Sequence, residues 1–137
     1  MAETLSFKKV HTYNTTEIGI TVTASLQFGQ RTVVCDTKLD TGASFCIFER
    51  AQGEVLGIDV ESGIAQQVGT PTGSFLAYGH EVILSVLGIE TTSVVYFAED
   101  ENFSRNVLGR QGWLDRVRLG LIDYEGKLYL SNYDDPA

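Results

Sequence analysis

Histidine, cysteine and proline are scarce: the chain of 137 residues holds two of each. His11 and His80 lie far apart and lack neighbours of ligand type, so no zinc site and no metal is expected. Positive charge is also short. Ten Lys and Arg stand against eighteen Asp and Glu, a formal net charge of −8. Phosphate binding needs a basic surface, so nucleic acid is excluded as a partner, and anionic membranes would repel such a protein. Long apolar runs are missing too. Stretches such as SVVYFA (Ser93 to Ala98) are strand-sized and far below a membrane span. The opening MAETLSFKKV carries an acidic residue at position 3 and no apolar segment of signal-peptide length, which makes the cytoplasm the expected location. In that reducing compartment Cys35 and Cys46 are expected as buried small hydrophobes rather than a disulfide.

What is present suits one folded domain. Hydrophobic residues make up 43% and charged residues 20%, a mixture that disfavours long disorder. The length allows a single core, expected over about residues 5–131, with 132–137 (NYDDPA) as a solvated tail. Apolar residues recur with a period of two: Ile18, Ile20 and Val22; Val82, Leu84 and Val86; Val117, Leu119 and Leu121. Turn residues separate these runs, at FGQR (28–31), GTPTGS (69–74), LGIE (87–90) and DYEG (123–126). Helix is invited only by FERAQGEVLG (48–57), interrupted by Gly53, and by RQGWLDR (110–116). The pattern predicts an all-β domain of about nine strands with one or two short helices. Trp113 and the tyrosines are expected in the core and at its rim.

One motif carries chemistry. LDTGAS (Leu39 to Ser44) sets Asp40 where an extended strand breaks into a Thr-Gly turn. Such a tetrapeptide arises by chance in roughly one chain in a few hundred of this length, and Asp and Gly are ordinary turn residues. Against a plain surface turn, VVCDTKL precedes it and FCIF follows, so partial burial of Asp40 is expected. A buried carboxylate is costly unless hydrogen-bonded. Gly42, lacking Cβ, lets a backbone N–H approach it, and the Thr41 hydroxyl can hold the turn.

These residues resemble the retropepsin-like aspartic peptidases, single-domain relatives of the two-lobed pepsin type. Three features stand in the family's order: the LDTGAS turn, the Gly-rich hairpin AQQVGTPTGSFLAYGHEV (65–82) similar to the flap, and NVLGRQGWLDRVRLGL (106–121) similar to the segment of two apolar residues and Gly that leads into a short helix. They span about residues 18–131. Some bacterial members also carry Lys before the turn, which points to a cellular branch. The resemblance implies a closed β-barrel or sandwich with a flap. It implies a homodimeric endopeptidase without cofactor that acts on a peptide or protein substrate.

By the same resemblance, one Asp40 from each of two chains would meet at a two-fold axis and share a proton. Thr41 would reach to the partner's turn, and Gly42 would contact substrate and carboxylate. Ala43 and Ser44 would line the substrate site, with Gly69, Thr70, Pro71, Thr72 and Gly73 closing over it. Two departures stand out. Retroviral members pair the Arg matching Arg110 with an Asp four residues after the catalytic one. Ser44 stands there, leaving Glu49, Glu54 or water for Arg110. Lys38 precedes Asp40 by two and so shares its strand face. It either reaches solvent, or sits by the site, lowers the dyad's first pKa and favours an acidic or polar substrate side chain. Two other readings stay open: a dimerising or peptide-binding module of the same fold with little catalysis, and an unrelated small barrel.

Overall fold

The computed structural model describes residues 1–136; Ala137, the last residue of the expected tail, lies outside them. Ten strands form among these residues: β1 (Lys9–Thr12), β2 (Ile20–Phe28), β3 (Arg31–Leu39), β4 (Ile47–Phe48), β5 (Ile64–Thr70), β6 (Gly73–Val86), β7 (Ile89–Ala98), β8 (Val107–Leu108), β9 (Val117–Ile122) and β10 (Lys127–Asn132). One α-helix, α1 (Arg50–Val55), follows β4. Alternation decides which side chains turn inward. Val22, Ala24 and Leu26 of β2 and Val82, Leu84 and Val86 of β6 are buried. Ile18 departs from the expected pattern, being 94% exposed in the turn before β2. Leu121, at the far end of β9, is exposed as well, so burial along that strand ends after Leu119.

Seven strands hydrogen-bond in the order β2-β3-β8-β4-β7-β6-β5, and β2 also pairs with β6. That extra pairing closes six strands into a barrel and leaves β5 outside the ring, joined to β6 alone. Hairpins make most connections. Gly29, at φ +59°, supplies the left-handed residue that the β2–β3 turn needs. Between β6 and β7 that role falls on Leu87, at φ +52°, a conformation costing about 1 kcal/mol for a branched residue. Its side chain packs against the core, which offsets the cost.

The expected helix at 48–57 shrinks to the six residues of α1. Gly53 does not break it. It is buried where a Cβ would sit 3.0 Å from the Phe97 ring and 3.2 Å from Val60, so glycine lets the helix lie flat on the barrel. The segment 110–116 forms only a 3₁₀ turn at Leu114–Arg116. Trp113, 1% exposed, anchors that turn in a core shared with Phe48, Phe97, Leu108, Leu128 and Leu130.

The chain's two ends pair with each other. β10 lies between β1 and β9, with Lys9 opposite Leu130 and Lys127 opposite Ile122. The stretch after β10 is held at several points: the Tyr133 N–H donates to the Arg116 carbonyl and Ser6 Oγ donates to the Pro136 carbonyl, each at 3.2 Å. The half-buried Asp135 forms an ion pair with Lys8 and accepts the Asn132 N–H at 3.2 Å, and its carbonyl accepts from Arg118. The expectation of a wholly solvated tail therefore fails at Asp135, because Arg118 ties both ends, donating also to the Ser6 carbonyl at 2.7 Å.

Candidate active site

β3 delivers Asp40. Its last residues run parallel to β8, with Leu39 opposite Leu108, and the Asp40 N–H donates to the Leu108 carbonyl at 3.0 Å. The strand then breaks: Ala43 N–H turns back to the Asp40 carbonyl at 3.2 Å. Gly42 N–H donates to Asp40 Oδ1 at 2.9 Å, a bond that fixes the direction of the carboxylate. Beyond the turn the chain wraps around the end of β8. Arg110 and Gln111 N–H groups donate to the carbonyls of Ala43 and Ser44, each at 2.9 Å. Gly109 makes this crossing possible, since a Cβ there would stand 2.2 Å from the Phe45 carbonyl oxygen.

Asp40, Thr41 and Gly42 are exposed, contrary to the expected partial burial. The apolar residues that suggested burial point the other way. Cys46 and Phe48 enter the core, Ile47 between them is buried on the groove side, and the turn is left on the surface. Burial pushes the Cys46 thiol up to about 12. Cys35 rises to about 11, chiefly through burial and then through the charges of Glu49 and Asp36. Both remain thiols near neutral pH and are poor nucleophiles. Among the described residues no three His, Cys, Asp or Glu side chains gather to hold a metal ion, and no helix is long and apolar enough to cross a membrane.

A groove of about 430 Å³ opens beside Asp40. Gly42, Ala43 and Ser44 form its floor, and Gly69, Thr70 and Pro71 overhang it. The overhang is the β5–β6 hairpin, closed by the Thr70–Gly73 pair, with Thr70 Oγ1 donating to the Gly73 carbonyl at 3.2 Å. Thr72 and Gly73 complete the exposed tip and do not line the groove. A second hollow of about 440 Å³ lies on the other side of the turn, lined by Thr41, Ser44, Arg110, Gln111, Leu114 and Asp115.

Solved structures share the fold. A retropepsin-like aspartic protease from Rickettsia conorii matches with a TM-score of 0.64 at 17% identity, over 90% of this chain and 97% of that one. The EIAV protease complexed with the inhibitor HBY-793 matches with a TM-score of 0.54 at 21% identity, over 73% of this chain and 88% of that one. The fold is retropepsin-like. No protein-family model matches the sequence, and no curated protein does.

Within the retropepsin-like fold the alternatives left open for Lys38 and Arg110 are narrowed. Lys38 does not line the groove: its ammonium donates to the Ile18 carbonyl at 3.0 Å and to Thr21 Oγ1, drawn across to the neighbouring β2. The extended geometry that would align it with Asp40 ends at Leu39. Arg110 pairs with neither Glu49 nor Glu54. Asn106 and Gln52 amides occupy Glu49 and Arg50 holds Glu54, so Arg110 stays exposed on the second hollow. The groove's far wall, made by Phe75, Phe103 and Arg105, was not anticipated. Arg105 stands two residues before β8, outside any strand, so no periodicity marked it.

Proposed function

We propose that this chain is an aspartic endopeptidase acting as a homodimer. The observation that carries the reading is Asp40 itself. It is an exposed carboxylate aimed by the Gly42 N–H, on the floor of a groove roofed by a hairpin. One exposed acid has no means of holding a proton at neutral pH. Two brought together do, because they cannot both ionise at close range. The ionised member takes a proton from a water between them. The protonated member donates to the scissile carbonyl, and the water attacks to give a tetrahedral diol. The pair titrates as one unit. Thr41, facing away from the groove floor on the second hollow, suits contact with the partner's turn. Val68, Gly69 and Thr70 offer strand backbone to an extended peptide.

Asp40→Asn tests this. Cleavage of a peptide library should stop while melting temperature and dimer mass stay those of the wild type; persisting cleavage by the variant refutes the assignment. Dilution should inactivate the wild type, because a lone protomer holds half a site. One observation favours a second reading, a dimerising peptide-binding module. Arg110 has no carboxylate partner among the described residues, so a contact expected to brace the site is missing. Peptide binding by the wild type without any cleavage would select it.

A further inference from the structure

We infer that Arg105 selects an acidic side chain in the bound peptide, within about three residues of the scissile bond. The inference rests on the peptidase reading and specifies its substrate. Among the described residues Arg105 is the one cation lining the groove, in a chain with ten Lys and Arg and a net charge of −8. It forms no ion pair there. The acids of its own loop are turned to other work or to water. Asp100 Oδ1 accepts the Asn102 N–H at 2.8 Å, Glu99 Oε2 accepts the Tyr78 hydroxyl at 3.2 Å, and Glu101 is exposed. The hairpin above offers nothing either, since residues 63–80 contain no Asp or Glu.

The guanidinium is placed rather than loose. Its carbon lies 5.8 Å from the centre of the Phe103 ring, and Phe103 packs on Phe75 at 4.8 Å between centroids. An aromatic shelf of this kind orients the planar fork and shields one side of it from water. Ile47, Val68 and Val107 supply apolar wall between this shelf and Asp40. A side chain with an apolar stem and a carboxylate end matches that sequence of surfaces, and the fork can bind the carboxylate with two parallel bonds.

Position is bounded by the reach of the chain leading into β8, since Arg105 and Asn106 precede that strand. Asp40 N–H bonds the Leu108 carbonyl, and Arg105 lies three residues earlier. At roughly 3.3 Å per residue that is at most about 10 Å, or no more than three residues of an extended substrate. The separation also keeps the substrate's acid away from Asp40, whose charge would repel it. In a homodimer the second Arg105 makes an equivalent site on the other side of the bond.

The test uses octapeptide pairs that differ only in Glu or Gln at one of the three positions on each side of the cleaved bond. The ratio of kcat/KM, Glu over Gln, is read within each enzyme, so changes in overall activity cancel. The wild type should favour Glu by about tenfold at one or more positions. Arg105→Lys should keep part of this, Arg105→Ala should bring the ratio near one, and Arg105→Glu should reverse it. A wild-type ratio near one at all positions, or one unchanged in Arg105→Ala, overturns the inference and leaves the peptidase reading intact. If the wild type cleaves none of the peptides, the same pairs with a reduced central bond are titrated by calorimetry. Glu-preferring binding that depends on Arg105 then upholds the site and removes catalysis. Equal or absent binding overturns both.

Discussion

Replacing Gly109 by alanine should damage the protein more than any other single methyl group added near the site. A Cβ at this position would lie 2.2 Å from the Phe45 carbonyl oxygen, 2.7 Å from its carbon and 2.8 Å from the Ala43 carbonyl oxygen. All three atoms are backbone, so no side chain can swing aside. The end of β8 must move off the 43–45 segment by about 1 Å to reach normal contact, at a cost of about 1–3 kcal/mol for overpacking. That movement stretches the bonds from Arg110 N–H to Ala43 and from Gln111 N–H to Ser44, both 2.9 Å, each worth about 1 kcal/mol. The loss is about 3–5 kcal/mol, a large part of the roughly 5–15 kcal/mol of a typical domain. For a chain of this length it corresponds to a melting temperature lowered by about 10–20 °C. Gly69→Ala is the control, because nothing lies within 4 Å of the place its methyl would take and it should melt with the wild type. Circular-dichroism melts of the two variants decide the matter. A Gly109→Ala protein melting within about 3 °C of wild type would show that the crossing yields easily and that the turn is not braced by β8.

The same reasoning gives smaller effects elsewhere. Lys38→Met should leave the cleavage preference unchanged and cost about 1 kcal/mol in a urea melt, since its ammonium serves Ile18 and Thr21 rather than the groove. The Tyr13 hydroxyl donates to Asp123 Oδ1 at 2.5 Å, and that bond, with burial and the carboxylate charge, raises its pKa from 10 to about 12. A raised folded pKa means the contribution is complete below pH 10 and fades as pH approaches 12. The urea midpoints of wild type and Tyr13→Phe should therefore converge over that window, and a constant gap would contradict the assignment. At pH 8 a thiol reagent should label the native protein slowly at Cys35 and Cys46 and both promptly in denaturant; rapid native labelling of Cys46 would contradict its burial. Arg118→Ala should free both chain ends, seen as faster amide exchange at Ser6 through Lys8, because it removes bonds to Ser6, Tyr133 and Asp135 together.

Legibility in the sequence followed the range of the interaction. Alternation is a local property, and it identified Val82, Leu84 and Val86 as inward-facing. Turn residues at 28–31 and 123–126 are local too, and hairpins form at both. The order of three motifs carried the retropepsin-like fold, which no single one of them could do. Pairings between distant segments left no such trace. The β2–β6 contact that closes the barrel joins residues about sixty apart, and the β1–β10 contact joins the two ends. Lys38 stayed open between two readings for a related reason: strand geometry fixed its face up to Leu39, but Thr21 on the adjacent strand decided where its ammonium went.

The burial of Asp40 failed differently, and the failure bears on function. The expectation took FCIF as a cover for the acid, yet Cys46 and Phe48 enter the core, Phe45 and Ile47 only wall the groove, and the turn is left bare. Desolvation is what sets a catalytic carboxylate apart from a surface one. This chain does not supply it to Asp40, so on the peptidase reading proposed above the missing wall would come from outside the chain. The peptide can cover only the groove side. The other side is the hollow at Thr41, Arg110 and Leu114, where a second copy would bring both the wall and the second acid. Activity and dimer should then disappear at the same protein concentration. An enzyme still cleaving at full specific rate well below the dissociation constant of its dimer would mean that one Asp40 is enough.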